Sequence, residues 1–182
     1  MFKYFSFIIT LIFALYNGAI GLIYRTSWNI SISIYYILFF LIRLLIILSK
    51  KEKITYIFTS IFLFIINLAL IAPITIMALN QKNINIGLIP AIGIATYTTY
   101  KITNAIIHYK KNYKNDNLLD KQNIIINLVD SIVSILTLQN TLILVNGEMD
   151  NMTGLVIITS FILYGFILFI TIFSFCRNIK YK

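Results

Sequence analysis

The chain is 182 residues long, 59% hydrophobic and only 12% charged, with a formal net charge of +9 and a mean hydropathy of +0.89. Soluble domains carry about a quarter of their residues as charges, so this composition excludes a water-soluble globular domain and puts the chain in lipid. Nucleic acid is excluded as a partner too, because the basic residues fall in short clusters between apolar runs and no reading motif accompanies them.

A helix needs about 20 apolar residues to cross a hydrocarbon core of about 30 Å. Six such runs use most of the chain, which therefore reads as one all-α integral membrane domain over 1–182, with no soluble domain. The frequent Ile, Lys, Asn, Phe and Tyr follow from AT-rich codons, so an Ile run or an Asn-Lys loop says little about function by itself.

The first span covers about 4–24 and carries Ala14 and Gly18 four residues apart, a spacing that lets another helix approach closely. A short positive start before an apolar run is also the pattern of a cleaved leader. No clean small-x-small site follows, however, and the apolar run continues through Ile20 to Ile23. The second span, about 30–49, contains Arg43 and ends on Lys50-Lys51-Glu52-Lys53. Spans three and four, about 54–79 and 84–108, are joined by Asn80-Gln81-Lys82-Asn83 and carry Pro73 and Pro90 close to that turn. Proline removes a backbone hydrogen bond and kinks a helix, so a pair of kinks at similar depth is one reading. Two ordinary tolerated prolines is the plainer one, since proline is common in membrane helices.

The longest polar connection is Tyr109 to Gln122, with Lys110, Lys111, Lys114, Lys121, Asp116 and Asp120. Span five, about 123–145, is apolar enough to cross a bilayer and yet carries Asp130; it exits into an acidic turn with Glu148 and Asp150, which read as solubilising. Span six covers about 154–175, and Cys176 beyond it has no Cys or His companion at metal-ligand spacing. Alternating sides places Lys3, Lys50, Lys51, Lys53, Lys110, Lys111, Lys114, Lys121, Arg177, Lys180 and Lys182 together, against only Arg25 and Lys82 opposite. The excess of positive charge on cytoplasmic loops then puts both termini in the cytoplasm with six spans.

Asp130 heads the candidate site. Asn123, Asn127, Ser134, Thr137 and Thr141 fall on its helix face, while Tyr97, Asn104 and His108 flank Lys101 on span four. Lys101 precedes the loop by eight residues, about 12 Å of helix, and Asp130 follows it by seven, about 10 Å. The two charges therefore meet at one level, and an ion pair between them is predicted. An unpaired charge near the centre of a span costs about 2.5 to 3.5 kcal/mol, which a facing partner offsets. Arg43 reaches a similar depth, but its face carries Tyr36, Phe39, Phe40 and Ile47, so it is expected to extend to the membrane surface instead of joining the pair.

The pair has two readings: a clamp that fixes helix packing, or a substrate or proton pathway with Asp130 as carrier and His108 at its cytoplasmic entrance. An enzyme is not expected, because one His and one intramembrane Asp supply neither a metal set nor a catalytic triad, and no phosphate-loop or dinucleotide fingerprint is present. No cofactor and no metal are expected.

The run from Tyr97 to Val145, above all LVDSIVSILTLQNTLILV, resembles segments of uncharacterised small polytopic membrane proteins of AT-rich Gram-positive bacteria, a resemblance that implies no activity. Six spans in a chain of this size also resemble the substrate-binding subunits of energy-coupling-factor vitamin transporters. That likeness implies a coupling subunit packed on the small residues of the first span, here Ala14 and Gly18. The expectation is thus a transport or permease-type protein of a bacterial cytoplasmic membrane, with the bilayer and a partner subunit or second copy as partners. The alternative is a non-transporting scaffold whose polar seam only holds helices together.

Overall fold

In lipid a backbone N–H or C=O finds no water, so an apolar chain satisfies its own hydrogen bonds by coiling into helices. The computed structural model describes residues 2–49, 51–79, 86–112, 117–146 and 153–179, and every regular element among them is helical. In chain order they are α1 (Phe2–Tyr24), α2 (Ser27–Leu48), α3 (Glu52–Ala69), α4 (Ile71–Leu79), α5 (Leu88–Asn112), α6 (Leu118–Asn146) and α7 (Thr153–Ile179). The loop acids Glu148 and Asp150 lie outside the described residues.

Among the described residues, five segments are long and apolar enough to cross a membrane: Ser6–Tyr24, Ser27–Leu48, Glu52–Ile76 across α3 and α4, Leu118–Val145 and Val156–Cys176. Helix α5, expected as span four of six, falls short of them in apolar character, because Lys101, Asn104, His108 and four threonines dilute its run. The bundle is inverted relative to a soluble protein. Leu22, Ile23, Ile89 and Phe169 are among the large apolar side chains that face outward, while serines, threonines, asparagines and three charges lie inside.

Helix α6 runs through the middle, packed on α5, α7 and α3. Its start lies beside the start of α3, where Asn117 Nδ2 donates to Glu52 Oε1 at 3.1 Å. At its far end Leu144 O accepts from the Ile86 backbone N–H, ahead of α5, at 3.2 Å. The polar connection expected from Tyr109 to Gln122 is mostly helix: α5 continues to Asn112 and α6 begins at Leu118. The early start has a local cause. Asn117 Oδ1 accepts from the backbone N–H of Leu119 and of Asp120, which is a side-chain cap on the first turn.

The third expected span is two helices. Pro73 has no N–H to give the carbonyl of Ala69, and the helix breaks one turn earlier at Leu70. Neighbours repair the break: Tyr164 of α7 donates to Leu68 O at 3.4 Å, and the buried Asn67 bridges Tyr35 of α2 and Thr171 of α7 at 2.9 and 2.8 Å. Pro90, by contrast, makes no kink. It stands in the first turn of α5, where a backbone N–H has no helical partner to lose.

Helices α1 and α2 form the tightest pairing, closed by Arg25 at a φ of 53° with the Thr26 N–H on Gly21 O at 3.0 Å. Ala14 and Gly18 face α2 here: Ser33 donates to Ala14 O at 2.8 Å, and a Cβ on Gly18 would meet Ser33 Oγ at 2.9 Å. The small residues expected to receive a coupling subunit are therefore covered by the chain itself. A Cβ on Gly21 would stand 2.8 Å from the backbone nitrogen of Ile30, whereas one on Gly93 would meet the hydroxyl end of Tyr16. Backbone cannot move aside as a side-chain tip can, so Gly21→Ala is expected to cost about 1–3 kcal/mol and Gly93→Ala less than about 1 kcal/mol. Thermal unfolding in detergent measures both, and equal losses would contradict this account of the hairpin.

Candidate functional site: a buried carboxylate between two cations

Asp130 is fully buried on α6, and both its oxygens are in use. Its Oδ2 lies 2.7 Å from Lys101 Nζ of α5 and 2.8 Å from Arg43 Nη2 of α2. Its Oδ1 accepts from the Tyr97 hydroxyl at 3.1 Å. Depth matching along α5 and α6 therefore brings Lys101 and Asp130 together as the residue counting predicts.

Arg43 is a correction. Expected to extend to the membrane surface, it is instead buried: on its face Tyr36 and Phe39 are fully buried, Tyr36 against Phe13 of α1 and Tyr97 of α5, and Phe40 and Ile47 are half-buried, so the arginine points into the bundle. Its guanidinium spreads over three acceptors: Asp130, the Asn127 Oδ1 at 2.9 Å and Ser6 Oγ at 3.2 Å. Phe39 lies 5.7 Å from its carbon centre, within the range of a cation–π contact. The signal that could have found Arg43 is its depth, seven residues before Lys50, which matches the other two charges. In a membrane protein an apolar helix face does not distinguish lipid from core.

Helix α1 completes the cluster and was missed as a contributor. Thr10 Oγ1 lies 2.8 Å from Lys101 Nζ and itself donates to Ser6 O, so it presents an oxygen lone pair to the ammonium. Phe13 stacks flat on Tyr97 at 3.5 Å between centroids. Ser6, Thr10, Phe13 and Asn17 share one face of α1 at spacings of three and four, which is the trace left in the sequence.

The rest of the expected seam divides in two. Thr137 and Thr141 are buried but turn back onto their own helix, donating to Val133 O and Thr137 O, so they satisfy themselves and reach no partner helix. Ser134 likewise donates to Ser131 O, though its own carbonyl accepts from Thr98 of α5 at 3.0 Å. Toward the basic end, Asn104 and Asn123 are buried with side-chain NH2 groups that find no acceptor, and His108 is half-buried two turns beyond Lys101. Among the described residues no group of His, Cys, Asp and Glu could hold a metal ion, and Cys176 is a free thiol on the outside of α7.

In charge the cluster holds Arg43, Lys101 and one carboxylate, a surplus of one positive charge on three buried groups. A cleft of about 200 Å³ opens between α2 and the α3–α4 break, lined by Ile34, Leu38, Ile66 and Pro73 among others, and none of the three charged residues lines it. Comparison of the chain with protein-family models, with curated proteins and with solved structures finds no match.

Removing the carboxylate strands two cations, whereas removing the lysine leaves a neutral Arg43 to Asp130 pair. Asp130→Ala is therefore expected to destabilise the protein by about 3–5 kcal/mol and Lys101→Met by less than about 2 kcal/mol. Unfolding in detergent compares them, and similar costs would mean that Lys101 and Arg43 do not share the carboxylate.

Proposed function

We propose that the chain is a multi-pass membrane protein of transport or permease type, seated in a bacterial cytoplasmic membrane, with the Arg43, Lys101 and Asp130 cluster as its working centre. The observation that carries this reading is the charge imbalance. A clamp between helices is best served by a neutral pair, since a surplus buried charge costs several kcal/mol and holds nothing together. Groups that bind and release a charged species do need such an imbalance in one state of their cycle. The closed cluster then corresponds to an occluded conformation, and Asp130 reaches water when α5 and α6 move against α1 and α2.

The second reading, a scaffold or partner subunit with no transport of its own, draws on a different observation: every charged group in the cluster is sealed and multiply bonded. A carrier passes through a state in which this centre is wet, and a scaffold does not. Ser134 and Thr137 follow Asp130 by one and two turns on α6 and are both fully buried, so cysteines placed there report on water without enlarging the side chain much. In a Cys176→Ser background in native membranes, Ser134→Cys and Thr137→Cys are expected to react slowly but completely with small charged thiol reagents. Protection of both in the membrane, with full reaction after denaturation, would remove transport and leave the scaffold.

The orientation of this proposal has both termini in the cytoplasm and α5 as a sixth span. Lys51, Lys53, Lys110, Lys111 and Lys121 gather at one end of the bundle by sequence position, with Arg25 at the other. A tag at either terminus is expected to resist protease in intact cells and to be cut in inverted vesicles. Cutting in intact cells would reverse the orientation.

A further inference from the structure

We propose that the cluster binds a small monovalent anion, held by the Arg43 guanidinium and attracted by the charge of Lys101, on the side of Asp130 that faces the basic end of the bundle. The anion site follows from charge and donor geometry; that the anion is also cargo rests on the transport reading above.

Four observations converge. The three charged groups sum to one positive charge, and among the described residues Asp130 is the only carboxylate bonded to either cation. Among the described residues, every polar partner those cations have besides Asp130 is a neutral oxygen, from Ser6, Thr10 and Asn127. Next, three buried donors on the helices of the cluster have no partner: Arg43 Nε, Asn104 Nδ2 and Asn123 Nδ2. Asn104 lies one turn from Lys101 on α5 and Asn123 one turn from Asn127 on α6, and Asn127 is the residue that Arg43 touches. The three donors lie on α2, α5 and α6, the helices whose charged side chains meet at Asp130. Finally, Arg43 is the least sealed of the charged groups, with 7% of its side chain exposed against 1% and 0% for Lys101 and Asp130, so the approach is past the guanidinium.

A water molecule accepts hydrogen bonds from such donors and supplies no charge. An anion does both, which removes the cost of the surplus and the cost of the orphaned donors together. One negative charge balances the cluster, so the ligand is monovalent. Asp130, Lys101 and Arg43 are all buried, a setting suited to an anion the size of a halide or of formate. Arginine with amide donors is the usual chemistry for such a guest, because the guanidinium offers several N–H groups in one plane.

The test uses the purified full-length protein in mild detergent at fixed ionic strength, comparing sodium chloride and sodium formate with sodium gluconate, whose anion is too bulky for the site. A saturable rise in melting temperature of about 2–4 °C in chloride or formate over gluconate is expected. Lys101→Met, which makes the cluster neutral, should abolish that rise, while Asp130→Asn, which doubles the surplus, should enlarge it. Identical melting of the unaltered protein in all three salts overturns the proposal; Lys101 would then hold no proton and no anion would be needed. A rise that survives in Lys101→Met overturns it as well, because the ion would be bound elsewhere. Chloride uptake into proteoliposomes separates the two ideas: binding without uptake sinks transport of the anion and leaves the site, whereas thiol labelling beside Asp130 without any anion effect leaves transport and sinks the site.

Discussion

The carboxylate of Asp130 is the constraint on which the bundle depends. It draws Arg43 from α2, Lys101 and Tyr97 from α5, and through Lys101 the hydroxyl of Thr10 from α1, so four helices are registered by one side chain. In lipid the gain from bringing apolar faces together is small, because hydrocarbon is as apolar as leucine, and helices associate through close packing and polar contacts instead. This chain uses both devices at different depths. Toward the α1–α2 turn the contact is steric, with Ala14, Gly18 and Gly21 letting the backbones approach. At the level of Asp130 it is electrostatic. The third tie, Asn67 between Tyr35 and Thr171, fastens α3 to α2 and α7 just before the helix breaks at Leu70.

These ties answer different needs. The Asn67 bridge sits one turn before a break and compensates for a helix that cannot complete its own ladder, which is a structural task with neutral groups. Interhelical bonds of this kind contribute about 0.6 kcal/mol each in membranes. The Asp130 cluster is charged and unbalanced, which makes it costly to build for packing alone. Neutral asparagine and threonine, already abundant in the interior, would have held α5 to α6 at lower cost, which is why the proposed function rests on this cluster and not on the Asn67 bridge.

Much of the architecture was legible because lipid simplifies the code. Apolar length gives helices, and residue counting from a shared loop gives depth, which is how Lys101 and Asp130 could be matched without coordinates. What stayed hidden is what depth and polarity cannot encode. Arg43 stood at the right level on an aromatic face, and Tyr36 and Phe39 look the same whether they meet acyl chains or Phe13 and Tyr97. The break at Leu70 was half legible, since Pro73 announced it but not its position. The early start of α6 was written in the Asn117 and Asp120 spacing of a helix cap, and it was masked there by surrounding lysines that read as a loop.

The polarity of α5 follows from the same economy. It is the least apolar of the long helices because it serves the centre with Tyr97, Thr98, Lys101 and Asn104 on one face, all buried. Only its other face remains for lipid, where Ile89, Ile92, Ile102, Ile106 and Ile107 are exposed. A helix so divided is held to the bundle by its neighbours, through the Asp130 bond, the Thr98 to Ser134 bond and the Tyr16 ring seated against Gly93. Loosening the first of these frees α5 more than it would free any other long helix. The helix that carries the lysine is thereby the one whose position depends most on whether the cluster is made, which couples the charge state of the centre to the packing of the bundle.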